Sequence, residues 1–437
     1  MKTIIKITSF LILFISTFPI LGQNHYKCGN EHINLNTKVA QCTESSIDYN
    51  NQYKHKEFYI PNLANNTIKT LHINFNIWQR HDGSGNLINN AQTIARLKQI
   101  AIWINNKYQY VYPRYTPLPY TVQIINDSKI RIVLDSIYFY TDPTLDSSYY
   151  ISNYGGHNIL LDNYLKTNFP ERTRALNIHL TKSYNLNYAG YSNFGSIESF
   201  YHSDPEMATH TDHDYWFSEH WAHEIGHSFD LWHTYDVYWS QNCNKNYPDF
   251  LWDLYDTTLS CPSLGCNVCI LPASTTNNNL MGGGDNGHIS ALQMGIVHRS
   301  TIMENFYNID YNVRDHITGY SINPYVITKN EIWDFSMKFY QNIIIKSGKV
   351  LTVKCEIQFV PEAKIIVEQG AKLIIDGGKL TNEKYYDVLW QGIEVWGTSN
   401  QPQNSVLNSP YQGIVELKNG AVIENAENAI TLWHPGD

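Results

Sequence analysis

The chain lacks any long apolar run after its first two dozen residues. Lys2 and Lys6 precede the apolar stretch ITSFLILFISTFPI (residues 7–20), and Gly22 follows it. This stretch is typical of a secretory signal peptide cleaved near Gly22, and it is short for a membrane-spanning helix. An uncleaved membrane anchor is the alternative. We predict a signal peptide over residues 1–22, no membrane span after its removal, and a secreted protein that is extracellular or held at the cell surface.

Basic residues are also scarce. Without Lys2 and Lys6, 29 Lys and Arg stand against 40 Asp and Glu, a net charge of −11. Because phosphate binding needs a basic face, this balance argues against nucleic acid as a partner. Charged residues make up only 16% of the chain and aromatic residues 14%, which leaves ample apolar surface for a core.

The cysteines number only seven, an odd count that leaves one outside any pair within the chain. In an exported protein they favour disulfides. One cluster comprises Cys243, Cys261, Cys266 and Cys269. Two disulfides and a four-cysteine zinc site are the alternatives for this cluster. The remaining cysteines are Cys28, Cys42 and Cys355.

Alternating strand and helix patterns occupy the middle of the chain. A period of two predicts strands over residues 68–78, 129–139 and 175–181. Apolar residues at helical spacing predict helices over residues 89–106 and 289–303. Asp212 or Asp214 is the predicted cap of a further helix that runs to about Phe229. These patterns predict a mixed α+β domain over residues 67–310, after a propeptide-like segment over residues 23–66.

A repeat begins beyond about residue 323. IIIKSGKVLTV and IIVEQGAKLII superpose with a shift of 22 residues, which brings Gly348 onto Gly370. We interpret IVELKNGAVIE, with Gly420, as a third copy that follows an insertion containing WQGIEVWG. Such units predict a linker and the start of a right-handed parallel β-solenoid over residues 311–437, with a small β-sandwich as the alternative. Since no cap precedes Asp437, we expect a fragment of a longer protein.

The segment HEIGHSFDLWH, residues 223–233, contains the candidate metal ligands and a candidate catalytic carboxylate. Residues four apart share a helix face, so His223 and His227 can offer two imidazole nitrogens to one metal ion. Glu224 lies one position along, near enough to contact a water on the metal without ligating the ion. His233 is too far along for the same face, so the chain must turn. We expect Asp230 to make this turn in the left-handed region.

This motif is specific. A chain of this composition would contain it by chance only ~0.001 times. There is no Glu between Glu224 and Glu304, which excludes a downstream glutamate as third ligand. The alternative is a helix whose histidines make ordinary hydrogen bonds. We expect the adjoining face, with Trp221, Ile225 and Phe229, to be buried in the core.

The motif and its surroundings resemble the metzincin zinc proteases, and among them the secreted bacterial pappalysin and cytophagalysin-like families. NNNLMGGG (residues 277–284) is similar to their Met-turn, which implies that Met281 lies beneath the metal without ligating it. ALNIHLTKSYNLNYAGYSNFGS (residues 175–196) is similar to the segment that contains their upper-rim strand, along which substrate peptides lie.

The resemblance implies a metzincin-like α+β catalytic domain and a zinc-dependent endopeptidase acting on protein or peptide substrates. Zn²⁺ would be held by His223, His227 and His233. Glu224 would be the general base for peptide-bond hydrolysis by zinc-activated water. A non-catalytic secreted adhesive or surface-binding protein, with a vestigial metal domain, is the alternative from another class.

Two further features are similar to relatives. The Cys28–Gly29 pair resembles a latency motif in which a propeptide thiolate occupies the open zinc position. A Cys28–Cys42 disulfide is the alternative. Asp253 and Asp256 stand where relatives carry acidic residues in a loop that binds Ca²⁺. Clustered carboxylates suit that ion, and a solvated loop is the alternative.

Overall fold

A computed structural model describes two connected regions, a mixed α+β unit and a following β-coil region, residues 321–433. The described residues are 27–29, 51–61, 67–80, 82–84, 87–115, 117–141, 151–152, 157–183, 188–192, 197–199, 211–235, 243–259, 278–282, 287–305, 312–401 and 410–433. The predicted signal peptide lies outside them. No helix in these ranges combines the length and apolar character needed to cross a bilayer.

The mixed α+β unit contains nine described strands and four described helices. The strands are β1 (Lys27–Gly29), β2 (Lys69–Trp78), β3 (Ile130–Tyr140), β4 (Ile151–Ser152), β5 (Leu176–Leu180), β6 (Lys182–Ser183), β7 (Tyr188–Ser192), β8 (Ile197–Ser199) and β9 (Ile317–Thr318). The helices are α1 (Ala91–Gln109), α2 (His157–Asn168), α3 (Thr211–Ser228) and α4 (Ala291–Ser300). Short 3₁₀ turns occur at Gln52–Lys54, Lys56–Tyr59, Pro170–Arg174 and Val313–His316.

The main sheet of this unit is mixed. Its strand order is β1-β7-β8-β5-β2-β3, and β9 pairs antiparallel with β2. Strands β3, β2, β5 and β8 run parallel to one another, whereas β7 runs antiparallel to β8. The strands predicted over residues 68–78, 129–139 and 175–181 are confirmed as β2, β3 and β5.

The helices begin at residues whose side chains complete their first turns. The Asn90 side chain accepts a hydrogen bond from Thr93 N at 2.8 Å at the start of α1. Ser290 and Gln293 form a capping box at the start of α4. The prediction that Asp212 or Asp214 caps α3 is wrong, since α3 begins at Thr211. The Asp214 carboxylate instead accepts two hydrogen bonds from the Arg96 guanidinium.

Helix α3 lies in the centre of the unit. Trp221, Ile225 and Phe229 are each fully buried, as predicted for its apolar face. The Trp221 ring meets the Phe75 ring of β2 edge to face, with centroids 5.0 Å apart. This packing fixes the helix that carries the histidine motif against the sheet.

The β-coil region contains only short strands. They are β10 (Ser321–Ile327), β11 (Glu331–Trp333), β12 (Met337–Phe339), β13 (Gln341–Ile345), β14 (Val350–Val353), β15 (Glu356–Phe359), β16 (Lys364–Val367), β17 (Lys372–Asp376), β18 (Lys379–Asn382), β19 (Trp390–Trp396), β20 (Ile414–Lys418), β21 (Val422–Ile423) and β22 (Ala426–Trp433). They form three parallel sheets, ordered β10-β13-β16-β19-β22, β11-β14-β17-β20 and β12-β15-β18-β21. Each coil adds one strand to each sheet, an arrangement compatible with a solenoid.

The predicted shift of 22 residues is confirmed by the strand register. Ile343 pairs with Ile365 and Leu351 with Leu373. The predicted alignment of IVELKNGAVIE as the third copy is wrong by one strand. WQGIEVW is strand β19, which pairs with β16, and IVELK is strand β20, which pairs with β17. Every sheet has inward apolar residues at alternate positions, so the pattern does not distinguish one sheet from the next.

Residues 51–61, the N-terminal strap, are packed into the α+β unit. The Lys54 carbonyl accepts a hydrogen bond from Arg299 Nη1 at 2.9 Å, and Lys56 Nζ donates to the Pro248 carbonyl at 2.6 Å. The Tyr53 hydroxyl donates to the Glu331 carboxylate of the β-coil region. The strap therefore contacts both regions.

A buried ion pair of the β-coil region lies at its junction with the α+β unit. Lys338 Nζ and Glu383 Oε2 are 3.0 Å apart, and both side chains are fully buried. Lys338 Nζ also donates to the Ile317 carbonyl at 2.6 Å. On the same side of the sheet, the Tyr385 ring stacks on His72 with centroids 4.0 Å apart. These contacts hold the first coils against β2 and β9.

Candidate metal centre

Three histidines converge at one place in the α+β unit. His223 and His227 lie one turn apart on α3, and His233 follows the end of that helix. Each offers a nitrogen, and these nitrogens all lie within 4.8 Å of one another. All three side chains are buried. Among the described residues, no other group of three or more His, Cys, Asp or Glu has this arrangement.

The turn between His227 and His233 depends on Asp230. Its φ of 63° lies in the left-handed region, as the sequence predicts. Asp230 N donates to the His227 carbonyl at 2.9 Å, which closes the end of α3. The Asp230 carboxylate accepts a hydrogen bond from Ser300 Oγ of α4 at 2.9 Å. A side chain thus anchors a conformation for which glycine is the usual choice.

Backbone carbonyls fix the direction of two imidazoles. His223 Nδ1 donates to the Leu280 carbonyl and His227 Nδ1 to the Leu231 carbonyl, each at 2.7 Å. With a proton on Nδ1, each ring presents the lone pair of Nε2. The structure therefore sets the tautomer that a metal ligand requires.

The distances between the nitrogens fit a metal ion. His227 Nε2 lies 3.2 Å from His233 Nε2. Tetrahedral ligands at a Zn–N distance of ~2.0–2.1 Å stand about 3.3 Å apart. His223 Nε2 is buried and has no hydrogen-bond partner among the described residues. A buried nitrogen without a partner is costly, and a metal ion would satisfy it.

The electrostatics keep these rings neutral. Burial lowers the pKa of His223 to about 4. Burial, followed by the neighbouring histidines, also lowers the pKa of His227 and of His233 well below the ordinary value. Neutral imidazole is the ligating form, so no proton has to leave these rings when a metal binds at neutral pH.

Glu224 is the acidic group nearest to this centre in sequence, between the first two histidines. Its side chain is fully buried. His220, one turn earlier on α3, places Nε2 3.3 Å from Glu224 Oε1. Burial, and next the charge of His223, lowers the pKa of His220 to about 3. His220 lies outside the HExxH motif, and its signal in the sequence is its spacing of four from Glu224, which places both on the same helix face.

Met281 lies against the middle of the histidine motif. Its side chain is fully buried. A Cβ added to Gly226 would stand 2.4 Å from Met281 Sδ. Only glycine at this position lets the sulfur approach the helix between His223 and His227. The signal of Gly226 in the sequence is its place inside the HEIGH motif, which does not by itself indicate a contact with Met281.

The backbone around Met281 is fixed by polar contacts. Met281 N donates to Asn279 Oδ1 at 2.9 Å, and the Met281 carbonyl accepts from Thr234 N at 3.0 Å. The Asn279 amide is held in turn by Gln293 of α4, at 2.7 Å. Since Thr234 follows His233 directly, this turn is tied to the third histidine.

Strand β1 brings Cys28 to the edge of the main sheet. It pairs parallel with β7, with Cys28 opposite Gly190. Strand β7 also contacts α3, the helix that carries two of the histidines. The Cys28 side chain lies outside the described residues, so its role as a latency ligand stays a prediction.

Asp253 and Asp256 accept hydrogen bonds from other groups of the protein. Asp253 is buried and accepts hydrogen bonds from Ser290 Oγ and Leu292 N, each at 2.8 Å. Burial raises the pKa of Asp253 to about 6. The expectation of a solvated loop is wrong for this residue, because it stabilises the start of α4. Asp256 Oδ1 accepts from Thr258 N at 3.0 Å. Calcium stays a prediction without a ligand cluster in the described ranges.

The cysteines are described only in part. Cys243 and Cys355 are each disulfide-bonded. The other members of the predicted cluster, and Cys42, lie outside the described residues. Because Cys243 is disulfide-bonded, it cannot supply a thiolate to a four-cysteine zinc site, and that alternative is wrong. The pairing within the cluster stays a prediction.

Comparison with known proteins identifies no relative in two searches. No protein-family model matches the chain, and no curated protein matches it.

Proposed function

We propose that the chain is a secreted zinc-dependent endopeptidase of the metzincin type. The observation that carries the proposal is the convergence of three buried imidazoles from one short segment, with Glu224 beside them on the same helix. His223, His227 and His233 would hold the ion. Three neutral histidines with nitrogens this close suit zinc and leave a fourth position open.

Three further features support a metzincin rather than another metalloprotein. The chain turns at Asp230 so that the third histidine returns to the first two. Met281 lies beneath the motif, in contact range of Gly226. Strand β7 is antiparallel to β8 and lies in the segment similar to the upper-rim strand of these proteases. Such a strand could align a substrate peptide through its backbone.

The chemistry divides between the ion and Glu224. When bound, zinc supplies a Lewis acid that lowers the pKa of a water and polarises a carbonyl group. Glu224 takes a proton from the attacking water and returns it to the leaving amine. The side chain of this carboxylate is fully buried, which keeps bulk water away from it.

The N-terminal segment fits a latent precursor within the same proposal. Strand β1 occupies the edge of β7, where a substrate strand would pair. Cys28 is then the residue that would block the open zinc position. Removal of this segment would free both the edge and the metal.

Metal analysis combined with peptide-library cleavage tests the proposal. We expect about one zinc per chain, cleavage that a chelator abolishes, and loss of at least about 10²-fold in activity for Glu224→Gln with zinc retained. Glu219→Gln is the matched control, since Glu219 lies on the same helix and pairs with Lys107 instead. Its activity should remain near that of the parent.

Two outcomes would contradict parts of this proposal. A zinc-loaded parent that cleaves no peptide, after removal of the N-terminal segment, favours the adhesive alternative. Unprocessed Cys28→Ala protein that is no more active than the unprocessed parent contradicts the latency role of Cys28.

A further inference from the structure

His220 lies one helical turn before Glu224 on α3, next to the metal centre but outside its ligand group. Its side chain is buried. The ring is nearly parallel to Trp216 on one side and to His223 on the other, with interplanar angles of 7° and 10°. Centroid separations of 6.0 and 6.4 Å place it in offset contact with both rings.

His220 Nε2 lies 3.3 Å from Glu224 Oε1. The contact is not aligned as a hydrogen bond, and His220 Nε2 is buried without a hydrogen-bond partner among the described residues. A fully buried carboxylate needs hydrogen-bond donors, because it has lost the water that would otherwise solvate it. A neutral imidazole protonated on Nε2 is such a donor. The near-parallel rings restrict rotation of the imidazole, so the donor is held at a fixed position relative to the carboxylate.

We propose that His220 is a positioning residue for Glu224. A small rotation of the carboxylate lets Nε2–H donate to Oε1. This hydrogen bond then fixes the carboxylate and leaves Oε2 as the oxygen that receives the proton in hydrolysis. Trp216 in turn holds the imidazole plane. This inference rests on the proposed function, since it assigns a partner to the base of that reaction.

The packing and the hydrogen bond at this position can be separated. A phenyl ring would fill the space between Trp216 and His223 but would carry no donor. A glutamine side chain would carry an N–H donor of similar reach without the ring. If His220 only packs, the phenylalanine variant should behave like the parent. If it positions Glu224, the glutamine variant should recover activity that the phenylalanine variant loses.

The test measures kcat and KM on the best library peptide for the parent, His220→Phe and His220→Gln, with zinc content and Tm for each. A hydrogen bond to a charged group contributes ~1.5–3 kcal/mol, so we expect kcat to fall about ten- to hundredfold in His220→Phe. KM should change less than about twofold and zinc content should not change, since neither depends on the carboxylate. His220→Gln should recover at least about a third of the parent kcat.

A double-mutant cycle adds a readout that packing alone would not change. In the Glu224→Gln background, His220→Phe should lower the residual kcat by less than about twofold, because the carboxylate that it positions is gone. Parent-like kcat in His220→Phe would overturn the inference. So would equal losses in the phenylalanine and glutamine variants, or an undiminished loss in the Glu224→Gln background.

The failure of this inference can be told apart from that of the proposed function. The parent and Glu224→Gln are measured first. If the zinc-loaded parent cleaves nothing, the proposed function fails and the role of His220 fails with it. If the parent cleaves, Glu224→Gln does not and the His220 variants match the parent, only the role of His220 is removed.

Discussion

The α+β unit and the β-coil region bury different kinds of side chain. Around the metal centre the interior contains charged and polar groups with specific partners, such as Arg299 with Asp249, both fully or almost fully buried. Away from the Lys338–Glu383 pair at the junction, the interior of the coils contains aliphatic ladders, such as Ile343, Ile365 and Ile393, each paired with its equivalent in the next coil. The interior of the α+β unit depends on specific pairs of polar atoms, whereas the interior of the coils repeats the same apolar packing from one coil to the next.

This difference has consequences for substitution. A buried polar group is stabilising only while its partner is present, so a single change leaves an uncompensated charge or donor. An aliphatic ladder position has several equivalent neighbours and depends on volume and turn geometry. We therefore expect that comparable substitutions in the two regions lower the free energy of unfolding by different amounts.

The largest effect should follow Arg299→Met. Arg299 donates to both carboxylate oxygens of Asp249, at 2.9 and 2.8 Å, and to the Lys54 carbonyl of the N-terminal strap. Its loss leaves Asp249 charged and buried, at a cost of ~3–5 kcal/mol in the free energy of unfolding. Denaturant unfolding followed by tryptophan fluorescence measures this loss.

The matched control in the coils is Lys346→Met. Lys346 pairs with Glu368 at 2.5 Å, but its side chain is 46% exposed. An exposed pair of this kind contributes under ~1 kcal/mol. If both variants lost the same stability, the buried Arg299–Asp249 pair would not contribute more than an exposed pair.

An intermediate effect should follow Gly226→Ala. The new Cβ would stand 2.4 Å from Met281 Sδ, so the sulfur or the helix must move. Overpacking of this kind costs ~1–3 kcal/mol, and we expect weaker zinc binding because α3 carries two ligands. Zinc affinity by competition with a chromophoric chelator, together with unfolding, measures both.

A double variant that combines Gly226→Ala with Met281→Ala tests whether the two residues are in contact. The Met281→Ala change makes room for the added methyl group, so zinc affinity in Gly226→Ala/Met281→Ala should exceed that in Gly226→Ala alone. If the double variant shows only the sum of the two losses, Gly226 and Met281 do not contact each other in this way.

The smallest effect should follow Gly348→Ala. Gly348 has a φ of 74° and no atom within 4 Å of an added Cβ, so only the backbone preference is lost. This costs ~1 kcal/mol, without any change in zinc affinity. Gly420→Ala should cost the same, since its φ is 76° and its surroundings are equally open. A loss confined to one of the two would show that their turns are not equivalent.

Much of the fold could be predicted from local patterns. The alternation of apolar residues predicts β2, and their helical spacing predicts α1. Both predictions are confirmed because each element has one face on the core. Asp230 was predicted in the left-handed region because the spacing of the histidines requires a turn there. The shift of 22 residues in the coils followed from repetition of the whole strand-and-turn unit.

The remainder depends on contacts between distant parts of the chain. Asp253 caps a helix that begins 38 residues later, at Ala291, and no local pattern indicates that pairing. The strap is polar in sequence, yet Tyr53, Lys54 and Lys56 are buried. The third coil was placed one strand out of phase because inward positions look alike in all three sheets. His220 was missed because a histidine beside a motif has no signal apart from its spacing.

The junction of Lys338, Glu383 and the N-terminal strap restricts relative movement of the two regions. A hinge needs a connection that can rotate without breaking buried contacts. Here rotation would break the hydrogen bonds that the buried Lys338 Nζ donates to the Arg314 and Ile317 carbonyls of the α+β unit. The coils nearest the metal centre should therefore turn with it as one body. A partner bound by the coils would then set the orientation of the three-histidine site.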